Sequence, residues 1–253
     1  MPDVVIRGRR VYYERCGAGP AVVLLHHATA SSRSWRRQVP VLAERFQVIA
    51  YDRPGFGRSE PVERWALDYL TDDVADLVAL LDALAVAEAS LVGHSDGAAI
   101  ALMAAARHPS RVRCVVAEAP HVFVDTATCP PAVARYYAMA TQSPSLLAAL
   151  ERDHGENGLQ VLRRWRDRWT DPAFWTWDVS GELERVGCPV LVVHGVEDEF
   201  FPVAHAELVA ARLVHSELWL LPGVGHMPHG ERPEEFTERA LAFLLQHTAP
   251  SSS

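Results

Sequence analysis

Val92-Gly93-His94-Ser95-Asp96-Gly97-Ala98 is a G-x-S-x-G stretch set between an apolar run, residues 89–93, and an alanine-rich segment, residues 96–107, that closes at His108-Pro109. The bare pattern is common by chance. Between a strand and a helix it becomes a mechanical statement. The turn is so tight that side chains at 93 and 97 would collide with strand or helix, which leaves room only for glycine. Ser95 is then pushed out at the strand's carboxyl end above a helix N-terminus, where backbone N–H groups and the helix dipole favour negative charge beside its hydroxyl.

Outward from this stretch the chain alternates between two periods. Residues 4–6 and 11–15 read as short strands around Gly8-Arg9-Arg10, and 21–26, 46–51, 89–93, 112–117, 189–194 and 216–221 as further strands, several of them unbroken apolar runs. Helical spacing marks 34–45 (with Pro40 inside it), 68–84, 96–107, 202–213 and 233–246. Strands alternating with helices predict an α/β architecture, a mostly parallel eight-stranded sheet flanked by helices. Residues 121–186 break the alternation. They are helical in patches, proline-marked and aromatic, with Trp165, Trp169, Trp175 and Trp177 close together, and read as a helical insertion over the sheet.

A serine nucleophile needs a base, and the base needs an orienting acid. With the serine on such a turn the expected order is serine, acid, histidine. His226, in Pro222-Gly223-Val224-Gly225-His226-Met227-Pro228, follows the strand 216–221 in a glycine-bearing loop suited to presenting one side chain; His229 is its local competitor. After the strand 189–194, Glu197, Asp198 and Glu199 are three candidate acids. Asp198 lies three residues beyond Gly195, where the turn starts, and is the expected orienter, with Glu197 and Glu199 as solvated neighbours; Glu118, past the strand 112–117, is a further candidate. Two N–H donors are needed for an oxyanion: the amide of Asp96 and that of Ala28, in the loop His26-His27-Ala28-Thr29.

Composition narrows the field. The 253 residues are 49% hydrophobic and 22% charged, enough for a large core, which excludes a disordered chain. A net charge of −8 argues against nucleic acid or an anionic membrane as partner. Four Cys fit neither a disulfide framework nor a zinc pattern, and the twelve His are scattered without metal-binding pairs on a common helix, so no metal and no cofactor are expected. No signal peptide and no run of about 18 apolar residues is visible, so a cytoplasmic protein is expected, with no membrane partner.

The chain resembles the α/β-hydrolase fold family over nearly its whole length. The resemblance rests on His26 with its loop, Asp52-Arg53-Pro54-Gly55-Phe56-Gly57-Arg58-Ser59, Gly93 to Gly97, Gly195 to Asp198, and Gly225-His226. It implies a triad of Ser95, Asp198 and His226 and a helical cap. Family members that cleave carbon–halogen bonds or epoxides carry Asp at the elbow centre, so Ser95 argues against those chemistries. The chain departs from the family where His27 replaces a common glycine, which places a side chain at the mouth of the oxyanion hole. Asp96 gives its amide alone, or its carboxylate also holds a neighbouring loop.

The expected domain plan is a core of residues 1–120 and 187–248, a cap of 121–186, and a disordered tail of 249–253. The expected function is hydrolysis of a small-molecule carboxylic ester, thioester or lactone through an acyl-enzyme. C–C bond hydrolysis or a lyase reaction on the same residues and a non-catalytic small-ligand receptor are the alternatives, and homodimerisation is compatible with all three. His27, His121, Trp165 and Trp169 are the candidate substrate contacts; for the tryptophans, packing of the insertion's own core is the competing reading.

Overall fold

A hairpin opens the chain: β1 (Asp3–Ile6) and β2 (Arg9–Cys16) pair antiparallel across Arg7 and Gly8, both at positive φ. A two-residue turn of this kind needs left-handed backbone at both positions, so the reversal falls one step earlier than Gly8-Arg9-Arg10. The computed structural model describes residues 3–62 and 65–248; the tail 249–253, expected to be disordered, lies outside them. The remaining strands are β3 (Ala21–Leu25), β4 (Gln47–Tyr51), β5 (Ala89–His94), β6 (Val112–Glu118), β7 (Val190–Gly195) and β8 (Ser216–Leu221). They form one eight-stranded sheet in the order β1-β2-β4-β3-β5-β6-β7-β8, parallel from β4 onward.

The helices are α1 (Gln38–Leu42), α2 (Tyr69–Ala83), α3 (Asp96–Arg107), α4 (Cys129–Ala140), α5 (Pro144–His154), α6 (Gly158–Trp169), α7 (Val203–Arg212), α8 (Pro228–Glu231) and α9 (Pro233–Thr248). Alternate residues of β3 feed opposite faces. Val23 and Leu25 join the cluster built with Leu70, Val74 and Leu77 of α2 and the alanines of α3, while Val22 and Leu24 pack with Trp35 and with Phe236 and Phe243 of α9. Burial on both faces explains the unbroken apolar runs of the central strands.

The helix expected over 34–45 divides into a 3-10 turn at Ser32–Trp35 and the five-residue α1. Ser31 caps the turn, accepting from the amide of Arg33, and Pro40 removes a backbone donor from α1. Between β6 and β7 the chain departs from the sheet into α4, α5 and α6. Its departing and returning ends are tied by Val179 N–H to Val122 C=O at 2.7 Å and Val124 N–H to Trp177 C=O at 3.2 Å. Among the described residues no helix is long and apolar enough to cross a membrane.

Candidate active site

The register of the parallel strands brings their carboxyl ends level: Leu25 opposes Gly93, His94 opposes Glu118, and Gly195 opposes Leu221. At this edge Ser95 joins β5 to α3 with φ 56 and ψ −117. A non-glycine residue held there stores about 1–3 kcal/mol of strain, which the surroundings must over-determine. They do so tightly. A Cβ on Gly93 would overlap the carbonyl oxygen of Gly97, and one on Gly97 would overlap that of Leu25. The Ser95 amide donates to Glu118 C=O at 2.9 Å, and its carbonyl accepts from Ala98 and Ala99. Its side chain does not cap the helix it begins.

Asp198 and His226 arrive from the ends of β7 and β8. The Asp198 carboxylate is fully buried; Oδ1 accepts from the amides of Phe200 at 2.8 Å and Phe201 at 3.0 Å, and Oδ2 accepts from His226 Nδ1 at 2.8 Å. That bond puts the imidazole proton on Nδ1 and leaves Nε2 as the basic atom. Burial works against charge on both groups. For His226 the Asp198 carboxylate, helped by Glu199 and Glu118, reverses the effect and raises the pKa above the ordinary imidazole value. For Asp198 the neighbouring His226 and the Phe201 amide hold the carboxyl below its usual range.

The loop carrying His226 is held from several sides. Gly195 and Gly225 touch so closely that a Cβ on the former would overlap the carbonyl of the latter. Glu231 accepts from the amides of Gly225 at 3.0 Å and Met227 at 3.1 Å, bracketing His226. Glu197, expected to be a solvated neighbour, accepts from Gly223 N–H at 3.1 Å. His94, the residue before the serine, donates from Nε2 to the His226 carbonyl at 2.8 Å and so links the elbow to the histidine loop.

Glu118 and His229, the competing acid and base, pair with each other. The Glu118 carboxylate accepts the His229 amide at 2.7 Å and its Nδ1 at 2.9 and 3.0 Å, and the His229 ring lies against Trp35 at 4.4 Å. His94, Glu118 and His229 bring potential ligand atoms within 4.8 Å of one another. Glu118 and His229 are joined by the bonds just described, and the His94 ring meets that of His229 edge-on at 5.0 Å.

The loop after β3 is anchored from beneath. His26 Nε2 accepts from the Arg53 amide at 3.1 Å, and Nδ1 donates to His27 C=O at 2.8 Å. Fully buried Arg53 donates to the same carbonyl at 3.2 Å and to Asp73 at 2.6 Å, and lies 3.9 Å from Asp96. Asp52 accepts from the amides of Ser32 and Arg58, closing the turn that aims Arg53 inward. Asp96 therefore does more than offer an amide. Its carboxylate accepts from Tyr69 OH at 2.7 Å and lies 3.4 Å from His121 Nε2, not aligned for a hydrogen bond. Burial opposes its charge, but His121, Arg53 and Tyr69 outweigh burial and hold its pKa below the ordinary value.

The candidate contacts separate by position. Ala28 is buried in the loop after β3. His27 sits edge-on to His94 at 4.9 Å and lines a cleft of about 560 Å³ between that loop, α4 and α5. His121 is wholly enclosed, stacked on Phe201 at 4.5 Å. Trp165 packs edge-on to Tyr136 and Phe200, and Trp169 to His121 and Phe174; neither lines the cleft. The aromatic side chain that does so is Tyr136, and Arg33, Arg36 and Arg152 join it. Sequence reasoning did not single out the three arginines, because arginine usually occupies the solvated face of a segment. The fourfold anchoring of Arg53 carried a signal in its eight-residue motif but no hint of its burial.

Residues 20–173 match the family described as alpha/beta hydrolase fold. The chain belongs to that family and is a hydrolase. Serine hydrolase BPHL of Homo sapiens is 29% identical over 95% of this chain and 85% of its own. A pimeloyl-[acyl-carrier protein] methyl ester esterase of Nitrosomonas europaea is 30% identical over 89% of this chain and 96% of its own. The enol-lactonase from Burkholderia xenovorans LB400 superposes with a TM-score of 0.81 over 96% of this chain and 100% of its own, at 22% identity, a likeness of fold.

Proposed function

We propose that Ser95, His226 and Asp198 form a catalytic triad that hydrolyses a small-molecule carboxylic ester, thioester or lactone through an acyl-enzyme. The buried 2.8 Å bond from His226 to Asp198, at the sheet edge that carries strained Ser95, is the observation that supports this most directly. Ser95 Oγ attacks the acyl carbon while His226 Nε2 takes its proton and the carbonyl electrons move onto oxygen. The amides of Ala28 and Asp96 hold that oxyanion. His226 passes the proton to the departing alcohol or thiol oxygen or sulfur as its bond to the acyl carbon breaks. Water, losing a proton to His226, then attacks the acyl-enzyme and frees the acid and Ser95. Asp198 holds the tautomer and stabilises the imidazolium. The route requires no metal or organic cofactor. Residues 121–186 serve as a cap over a core of 1–120 and 187–248, and the place of work is the cytoplasm.

An esterase among the relatives agrees with this reaction class, and a 2-hydroxy-6-oxo-6-phenylhexa-2,4-dienoate hydrolase among them agrees with the C–C alternative, so assay separates the two. Ser95→Ala tests the nucleophile against a panel of p-nitrophenyl esters: turnover falls by at least about a thousandfold, while the melting temperature stays within about 2 °C of wild type. Wild-type turnover in the variant refutes the assignment. Ring-opened diketones in the same panel separate the chemistries, since preferential turnover of these overturns the ester reading. A wild-type chain that binds ligands and turns over none is a receptor.

A further inference from the structure

The cleft of about 560 Å³ is lopsided in its chemistry. One wall, from α5, is aliphatic: Leu146, Ala149 and Leu150. Its charged lining is three arginines, Arg33 and Arg36 around the 3-10 turn after β3 and Arg152 in the last turn of α5, against a single carboxylate, Asp153. Arg33 Nε lies 3.6 Å from Asp153, and among the described residues Arg36 and Arg152 form no ion pair. Arg36 also borders a neighbouring cleft that contains Glu234 and Glu238, without pairing to either. His27, at the same cleft, is kept neutral: burial, with His226 and His229 nearby, pushes its pKa well below the imidazole range. The excess of positive charge belongs to a chain whose net charge is −8. A positive concavity in an acidic protein, with one low-dielectric wall, concentrates anions locally.

The cleft also adjoins the candidate machinery. His27 precedes Ala28, the proposed oxyanion donor, and Met227 follows His226; both are in its lining. We propose that this cleft selects substrates in which an apolar chain, lying along α5, ends in a carboxylate or phosphate held by Arg33, Arg36 and Arg152. Guanidinium is suited to both anions, since its planar fork matches their paired oxygens. This proposal rests on the hydrolase reading and adds the substrate class to it.

The test compares mono-p-nitrophenyl esters of straight-chain dicarboxylic acids with their ω-methyl esters of equal length, and p-nitrophenyl esters of ω-phosphono acids with the corresponding dimethyl phosphonates. Wild-type kcat/KM is expected to favour the anionic member of each pair by roughly tenfold at low salt, with the preference shrinking as ionic strength rises. Arg152→Gln and Arg33→Gln each reduce that ratio by roughly two- to fivefold, mainly through KM, and Arg152→Lys restores part of it. A preference for the carboxylate pair alone or for the phosphonate pair alone narrows the class to that anion. Equal kcat/KM within both pairs, or a preference unaffected by Arg→Gln and by salt, overturns the proposal while leaving ester hydrolysis by Ser95 intact. Failure to turn over any of the esters counts instead against the hydrolase reading.

Discussion

Glu118 joins both reactive loops through different atoms. Its carbonyl takes the Ser95 amide and its carboxylate takes the His229 turn, three residues past His226. It also adds negative charge to the surroundings of His226, in support of the dominant Asp198. His226 acts as a base only when neutral, so activity rises with pH through its pKa, which lies above the ordinary imidazole value. Replacing Glu118 with Gln removes a charge that favours the imidazolium. The acid limb of the kcat/KM profile should therefore move to lower pH. A purely structural Glu118 would lower the plateau and leave the limb in place, and that result would refute the electrostatic role. Such coupling was only half visible in the sequence. Glu118 and His229 both stood out as alternatives for the same two roles, but their pairing with each other spans 111 residues and depends on strand register.

At the scale of elements the elbow is the best-specified part of the molecule, exposed by its glycine spacing together with the apolar run before it and the alanine-rich segment after it. The two glycines remove side chains where β5, α3 and the end of β3 meet, so Gly97→Ala drives a methyl group into the Leu25 carbonyl. Overpacking against backbone that cannot yield costs about 3 kcal/mol, or a fall in melting temperature on the order of 10 °C for a chain of this size. A Gly97→Ala protein that melts with wild type and keeps full turnover would show that the turn has slack. Apolar patterning located all eight strands, most plainly the central five, β3 to β7, whose burial on both faces is written into composition, while β1 and β8 are largely exposed. It failed over 34–45, where the spacing of Trp35, Val39 and Leu42 suits a helix but Pro40 and the Ser31 cap divide it in two. It also missed α8, a single turn after Met227 whose Glu231 holds the amides around His226. One helical turn is too short to show a period.

For the molecule as a whole, the order serine, acid, histidine along the chain mirrors the order β5, β7, β8 in the sheet. Parallel strands deliver all three to one edge, which explains how local motifs separated by 131 residues along the sequence could be read as one site. What the sequence concealed is the insertion's orientation. Aromatic content pointed to Trp165 and Trp169 as contacts, yet large rings are also what a small helical layer needs for its interior, and both are packed there. The cleft takes its character from arginines instead. The most direct test of the account is labelling with a fluorophosphonate, read by intact mass and peptide mapping. Attack by an activated serine forms an Oγ–P bond and expels fluoride. One equivalent on Ser95 in wild type, absent from Ser95→Ala and much slower to form in His226→Ala, is the predicted result. No adduct on the folded wild-type chain, or an adduct on another residue, would contradict the assignment of Ser95 as an activated nucleophile.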